Sequence, residues 1–160
     1  MIETIKEIGD GLHAKIYLAR RIGFQSELIC VKVFKRSEET LQDDQDTRRQ
    51  AEEEFRVSQI LKGHPNIIKI RSFERDATIK IEGKELTRDF LILDYCENND
   101  LFEFMSKYSK KQSKGGLVPS QGQGMIVKDP LLLKALFLQL IQGVSAFHGK
   151  AGYAHMDIKL

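Results

Sequence analysis

Leu28-Ile29-Cys30-Val31-Lys32-Val33-Phe34 is a run of six apolar residues interrupted by one lysine. Its β-branched and aromatic content reads as a strand. Lys32 sits in the middle of it, and an ammonium among apolar neighbours needs a partner. The alternative is an edge strand whose lysine faces water. Downstream, residues 44–62 change texture to dense Arg, Gln and Glu, with Ala51, Phe55, Val57, Ile60 and Leu61 expected on one helical face. Gly63-His64-Pro65-Asn66 ends that helix, because Pro65 cannot continue it. Three carboxylates, Glu52, Glu53 and Glu54, lie on the helix. One of them can answer Lys32, and the others form a solvated face.

Outward from this pair, the first hundred residues read mainly as strands. Ile16-Tyr17-Leu18-Ala19 alternates, and Ile67–Phe73 and Asp89–Tyr95 are further candidates. Thr78-Ile79-Lys80-Ile81-Glu82-Gly83-Lys84 is expected to be a polar hairpin tip. After Cys96 the texture turns helical. Asn98, Asn99 or Asp100 is placed to cap a helix beginning at Leu101. Ser109 to Gly124 is rich in Lys, Gly, Ser and Gln and reads as a flexible insert, spanning about 109–129 with its flank. Its lysines are read as a solvated loop in preference to a patch for an acidic partner. Residues 130–148 form a strongly apolar helix. Strands first and helices afterwards make this an α+β chain, with domains expected at 1–96 and 97–160.

Composition narrows the function classes. The chain has 160 residues, 41% apolar and 30% charged, which reads as globular. Lys plus Arg number 25 against 23 Asp plus Glu, so overall charge offers no argument for nucleic acid or an anionic membrane. Cys30 and Cys96 are far apart and form neither a disulfide framework nor a zinc pattern. The N-terminus is charged and lacks a signal-peptide core, so a cytoplasmic location is expected. Leu131–Val144 holds Lys134, Gln139 and Gln142, and reads as too short and too polar to span a bilayer.

Gly9-Asp10-Gly11 falls between two expected strands, which argues against a dinucleotide fingerprint opening a helix. It also lacks the Gly-Lys-Ser/Thr of a P-loop. A glycine-rich β-turn lets backbone N–H groups approach phosphates, although an ordinary hairpin carries two glycines as readily. At the other end stands Tyr153-Ala154-His155-Met156-Asp157-Ile158-Lys159.

Taken in order, the glycine turn, strand lysine, helix glutamate, apolar strand and terminal His-Met-Asp-Ile-Lys resemble the eukaryotic protein kinase domain across the whole chain. The resemblance implies a small lobe of five antiparallel strands and one helix, followed by the first helices of an incomplete helical large lobe. It implies ATP as phosphoryl donor. Ile8-Gly9-Asp10-Gly11-Leu12-His13-Ala14-Lys15-Ile16 stands where the family has its glycine loop, with Ala14 replacing the third glycine. Gly9 and Gly11 would approach phosphates and Ile16 would cover the adenine. Ile29-Cys30-Val31-Lys32 stands for the family's V-A-I-K, so Lys32 would anchor the α- and β-phosphates, with Cys30 over the adenine. Counting back from Gly63-His64-Pro65-Asn66 favours Glu54 as partner of Lys32. Ser58 falls where the family packs Leu or Met, which leaves Glu53 open. Leu91–Leu101 resembles the hinge between lobes. Leu93 would line the pocket, the Asp94 carbonyl and the Cys96 N–H would pair with the adenine edge, and Asp100 would accept from the ribose or cap a helix.

Asp157 would accept the proton of the substrate hydroxyl, Lys159 would neutralise charge on the γ-phosphoryl group, and His155 would pack beneath the loop. The Asp-x-Lys spacing is the serine/threonine pattern, so the implied partner is a protein bearing a Ser or Thr hydroxyl. No nucleic-acid or membrane partner is implied, and the oligomeric state stays open. Met156 stands where many kinases carry an arginine that grips a phosphorylated activation loop. Methionine cannot pair with phosphate, so switching through that contact is not expected. The family's magnesium ligands are expected beyond Leu160, and no metal ligand is assigned within the chain. Read so, the chain is the front half of such a domain, inactive by itself. The alternative is an ATP-binding pseudokinase or scaffold. The stripe Leu132, Leu136, Leu140 and Val144 is then expected to lie exposed.

Overall fold

The structure, a computed structural model, describes residues 1–23, 27–36, 41–98, 100–105, 129–156 and 158. The chain divides into two compact units, Met1–Tyr95 and Cys96–Leu160. In the first unit, strands β1 (Ile2–Asp10), β2 (Ala14–Arg21), β3 (Leu28–Phe34), β4 (Ile70–Ile81) and β5 (Lys84–Asp94) surround an apolar interior, and helix α1 (Leu41–Ile60) joins β3 to β4. The order is β1-β2-β3-β5-β4, with antiparallel pairing between neighbours. A short parallel contact, Ile2 to Ile79 and Glu3 to Lys80, closes the sheet into a barrel. Register breaks in β1 and β4 supply the curvature that closure needs. At the seam Glu3 pairs with both Lys80 and Arg20, which hold its carboxyl below the usual range.

Alternation sorts the β3 side chains. Ile29, Val31 and Val33 point into the barrel with Ile2, Tyr17, Ala19, Ile79, Phe90 and Ile92. Cys30 and Phe34 face the other way, into a second cluster with Ala14, Ala51, Ile70, Leu91 and Leu93. Lys32, two residues from each of them, shares their face. This second face is the seat of α1.

The β4–β5 hairpin is longer than the sequence suggests. β4 runs on through 78–81, where it pairs with 84–87 of β5, and the tip shrinks to Glu82-Gly83, with φ of 49° and 82°. Two left-handed residues in succession make the tight turn that fits strand twist. Ile79 alternates into the core, which is why the tip is strand. Residues 67–69, expected as strand, precede β4 instead.

Helix α1 also departs in detail. Ala51, Val57 and Leu61 are buried, but Ile60 is exposed. Nine residues at about 100° each place Ile60 roughly half a turn away from Ala51. Ser58, not an apolar residue, takes the inward position and returns its hydroxyl to the Phe55 carbonyl at 2.6 Å. Gly63, at φ 83°, turns the chain out of the helix.

In the second unit, α2 is described over 101–105 and is capped by Asp100, whose Oδ1 accepts the Glu103 N–H at 2.7 Å. The insert at about 109–129 lies outside the described residues except for its last position, Asp129. Helix α3 (Pro130–Ala146) starts with that Asp129, whose carboxylate accepts from the Leu131 and Leu132 N–H groups, and with Pro130 in the first turn. It runs into a π-turn, Phe147–Ala151, that ends at left-handed Gly152. The continuous helix of 22 residues is long and apolar enough to cross a membrane by length and composition. The stretch is therefore longer than Leu131–Val144 suggested, and core helices of soluble proteins meet the same measure. Leu132, Leu136 and Val144 are half-buried, contrary to the exposed stripe expected, while Leu131, Phe137, Leu138, Leu140 and Ile141 are exposed. Buried Gly143 lies only about 20° around the helix from Leu132, so that face is the inner one.

Candidate active site

Within the first unit the residues singled out from sequence converge on the helix-bearing face of the sheet. Lys32 is flanked across the strands by Ile16 on β2 and Leu91 on β5, and Cys30 by Leu18 and Leu93. Lys32 Nζ lies 2.6 Å from Glu54 Oε2 and 5.5 Å from the centre of the Phe34 ring. The two charged side chains remain 28% and 37% exposed, so a ligand can reach the ammonium. Glu53 points elsewhere, bound to Arg56 one turn along, and Glu52 pairs with Arg75. Position decides among the three: Glu54 lies one turn beyond buried Ala51 and beside Phe55, which packs on the sheet.

The glycine turn joins β1 to β2. The Gly11 N–H donates to the Ala14 carbonyl at 2.9 Å. A Cβ on Gly11 would lie 3.3 Å from that oxygen, so the tight reversal favours glycine. Gly9 pairs with Ile16 across the hairpin. Lys35 braces the turn: its Nζ donates to the Gly11 carbonyl at 2.7 Å and sits 2.8 Å from Asp10 Oδ1. The Lys35 ammonium holds the Asp10 carboxyl below its ordinary value, helped by Lys15. The Glu7 carboxylate in turn raises the Lys15 ammonium.

At the far end of β5, Asp94 does more than lend its backbone. Its N–H donates to the Lys69 carbonyl, and its carboxylate accepts from Arg71 Nε at 2.5 Å. Arg71 also reaches Glu27 at 2.5 Å, and the two carboxylates raise its guanidinium. Arg71 thus ties the end of β5 to β4 and to the residue before β3. Sequence reasoning missed Lys35 and Arg71, since no spacing marks a pair that only the folded sheet brings together.

In the second unit Cys96 is exposed and Asp100 is the cap of α2. His155 stacks edge-on against Phe147, ring centres 5.5 Å apart, and Met156 adopts φ 60°. A left-handed methionine is uncommon and marks a constrained backbone. Asp157 and Lys159 lie outside the described residues.

The first-unit surface suits a nucleotide: Ile16, Cys30 and Leu93 offer apolar area beside one reachable, carboxylate-paired ammonium. Among the described residues no group of three His, Cys, Asp or Glu side chains is placed to hold an ion.

A model of the protein kinase domain matches residues 2–160, and the chain belongs to that family. It is 28% identical over 158 residues to a probable serine/threonine-protein kinase of Dictyostelium discoideum, covering 96% of this chain and 9% of that protein. It is 27% identical over 114 residues to calcium-dependent protein kinase 21 of Arabidopsis thaliana, covering 69% of this chain and 19% of that one. The chain therefore spans under a fifth of either curated relative.

Proposed function

We propose that the protein transfers the γ-phosphoryl group of ATP to a Ser or Thr hydroxyl of protein substrates. The observation that carries this reading is the Lys32–Glu54 pair at 2.6 Å, set on an apolar strand face beneath a glycine turn. A carboxylate that fixes the direction of an ammonium makes it a preset ligand for two phosphates. Ile16, Cys30 and Leu93 form the apolar bed for the adenine, and the Asp94 carbonyl and Cys96 N–H are assigned to its edge. Gly9 and Gly11 leave room for the phosphates, and Asp100 is assigned to the ribose.

In the transfer step the substrate oxygen bonds to the γ-phosphorus as the bond to the ADP oxygen breaks. The hydroxyl proton passes to Asp157, and Lys159 offsets charge on the phosphoryl oxygens. Magnesium, when bound, neutralises the phosphates; no described residue is assigned to it. The aspartate-x-lysine spacing and the probable serine/threonine-protein kinase of Dictyostelium discoideum support the hydroxyl specificity. A cytoplasmic setting, and no nucleic-acid or membrane partner, complete the reading.

The test uses full-length protein, radiolabelled ATP and a peptide library carrying Ser, Thr or Tyr. Label on Ser and Thr that disappears in Asp157→Asn is expected. ATP binding without label on any peptide would replace this reading by that of a nucleotide-binding pseudokinase.

A further inference from the structure

The two halves of α1 are held differently. Ala51, Val57 and Leu61 bury the second half, and Phe55 packs beside them. The stretch Asp44-Gln45-Asp46-Thr47-Arg48-Arg49-Gln50 has no apolar side chain, so hydrophobic burial cannot seat it. Arg48 ties it to the sheet. Arg48 Nε lies 2.7 Å from Asp89 Oδ2, and Nη2 lies 3.3 Å from Asp89 Oδ1 and 3.0 Å from Asp76 Oδ2. Asp89, on β5, has a side chain only 12% exposed. It also accepts the Asp76 N–H at 2.7 Å, and Asp76 is the left-handed residue of the β4 register break. Arg36, just after β3, reaches Asp76 at 2.8 Å. A cavity of about 240 Å3 lies beside the network, lined by Phe34, Thr47, Arg48 and Asp89 among others.

Helical geometry gives the network a purpose. Counted from Ala51, Glu54 lies about 60° to the side on which Val57 and Leu61 are buried, within the stripe, and Arg48 lies about 60° to the other side, at its edge. An apolar stripe alone allows a helix to roll on its seat. A tie at the edge of the stripe, to the side away from Val57 and Leu61, stops the roll.

We propose that Arg48 and Asp89 are positioning residues that fix the rotation of α1 and so keep Glu54 on Lys32, an inference that rests on the phosphotransfer reading for its effect on activity. Arg48 touches no reacting atom and acts only through Glu54. The clamp is built from residues of this one unit.

The test has two arms on full-length protein. In the first, amide hydrogen exchange is followed in Arg48→Met. Exchange over residues 44–54 should speed up at least about tenfold, while 55–60 and the barrel strands stay as in wild type. In the second, kcat and KM for ATP are measured for Arg48→Met alone and in a Glu54→Gln background. Arg48→Met should lower kcat/KM about tenfold by itself and less than about twofold once Glu54 is already removed, because the two act as one unit. Arg48→Lys keeps the charge but not the two-pronged contact. It should fall between wild type and Arg48→Met, and it serves if Arg48→Met does not fold. Unchanged exchange over 44–54, or an undiminished activity loss in the Glu54→Gln background, overturns the proposal. Wild-type activity in Arg48→Lys together with wild-type exchange does so too. Loosening of 44–54 in a protein whose wild type transfers no phosphate would leave the clamp standing and remove the phosphotransfer reading instead.

Discussion

Replacing Glu54 by glutamine separates a pair kept for stability from a pair kept for chemistry. The bond is short, 2.6 Å, yet both side chains are about a third exposed. Water therefore screens the attraction, and such a pair is worth about 0–1 kcal/mol to folding. The amide that replaces the carboxylate keeps its volume, and the Lys32 ammonium retains solvent and the face of Phe34. For a unit of this size 1 kcal/mol is about 4–8 °C in Tm, so the midpoint should fall by less than roughly 8 °C. Activity should respond far more. Without the carboxylate the ammonium is no longer aimed, and a loss of orientation of that kind costs on the order of 10²-fold in rate. The assay is thermal unfolding by circular dichroism beside kcat/KM for ATP in the full-length protein. A stability loss of about 3–5 kcal/mol, as for a truly buried pair, would refute the screening argument. Turnover within twofold of wild type would refute the functional one.

Other consequences follow from the same geometry. Phe90→Ala empties the centre of the barrel and should cost about 3–5 kcal/mol in urea unfolding, where a loss under 1 kcal/mol would contradict the inward placement of Phe90. Glu82→Asn should stabilise the hairpin by about 0.5 kcal/mol, because asparagine takes the left-handed turn position more readily than glutamate; lower stability by the same measurement would speak against the turn. The Asp10 carboxyl, held down by Lys35, should titrate below the ordinary value of about 3.9. Its contribution is then fully present above that pH and is lost as pH falls through the lower folded value. Carboxyl chemical shifts would show this, and Lys35→Met should move Asp10 up toward the ordinary value, with Lys15 still holding it below; an unmoved titration in that variant would remove the brace.

The strand around Lys32, the helix after it and the apolar helix at 130 were legible because each rests on local periodicity or local composition, while the Asp129 cap was not read from sequence. Glu54 could be preferred to Glu53 only through the family resemblance, counted back from Gly63-His64-Pro65-Asn66, and Ser58 left Glu53 open. Where two readings competed within a few residues, tertiary context decided. Ile79 looked like part of a polar tip until the barrel offered it a core, and Ile60 looked inward until the helix phase turned it out. The ion pairs were not legible at all. Arg48 and Asp89 are 41 residues apart, and Lys35 and Gly11 are 24 apart, with no periodic signal connecting them. Charged residues carry no mark of which partner the fold will bring, so Lys35, Arg71 and Arg48 read as surface until the sheet closed. Asp94 is the mixed case: its backbone role was expected from the hinge pattern, and its carboxylate's grip on Arg71 was not.

The most direct test concerns the Lys32 ammonium itself. Full-length protein is treated with an amine-acylating reagent, with and without magnesium and ATP, and each lysine is quantified by mass spectrometry. Selective protection of Lys32 by ATP, with Lys6 and Lys84 labelled equally in both conditions, is the predicted result. Equal labelling of Lys32 in the two conditions, at ATP concentrations that support turnover, would contradict the assignment of that lysine to the phosphates.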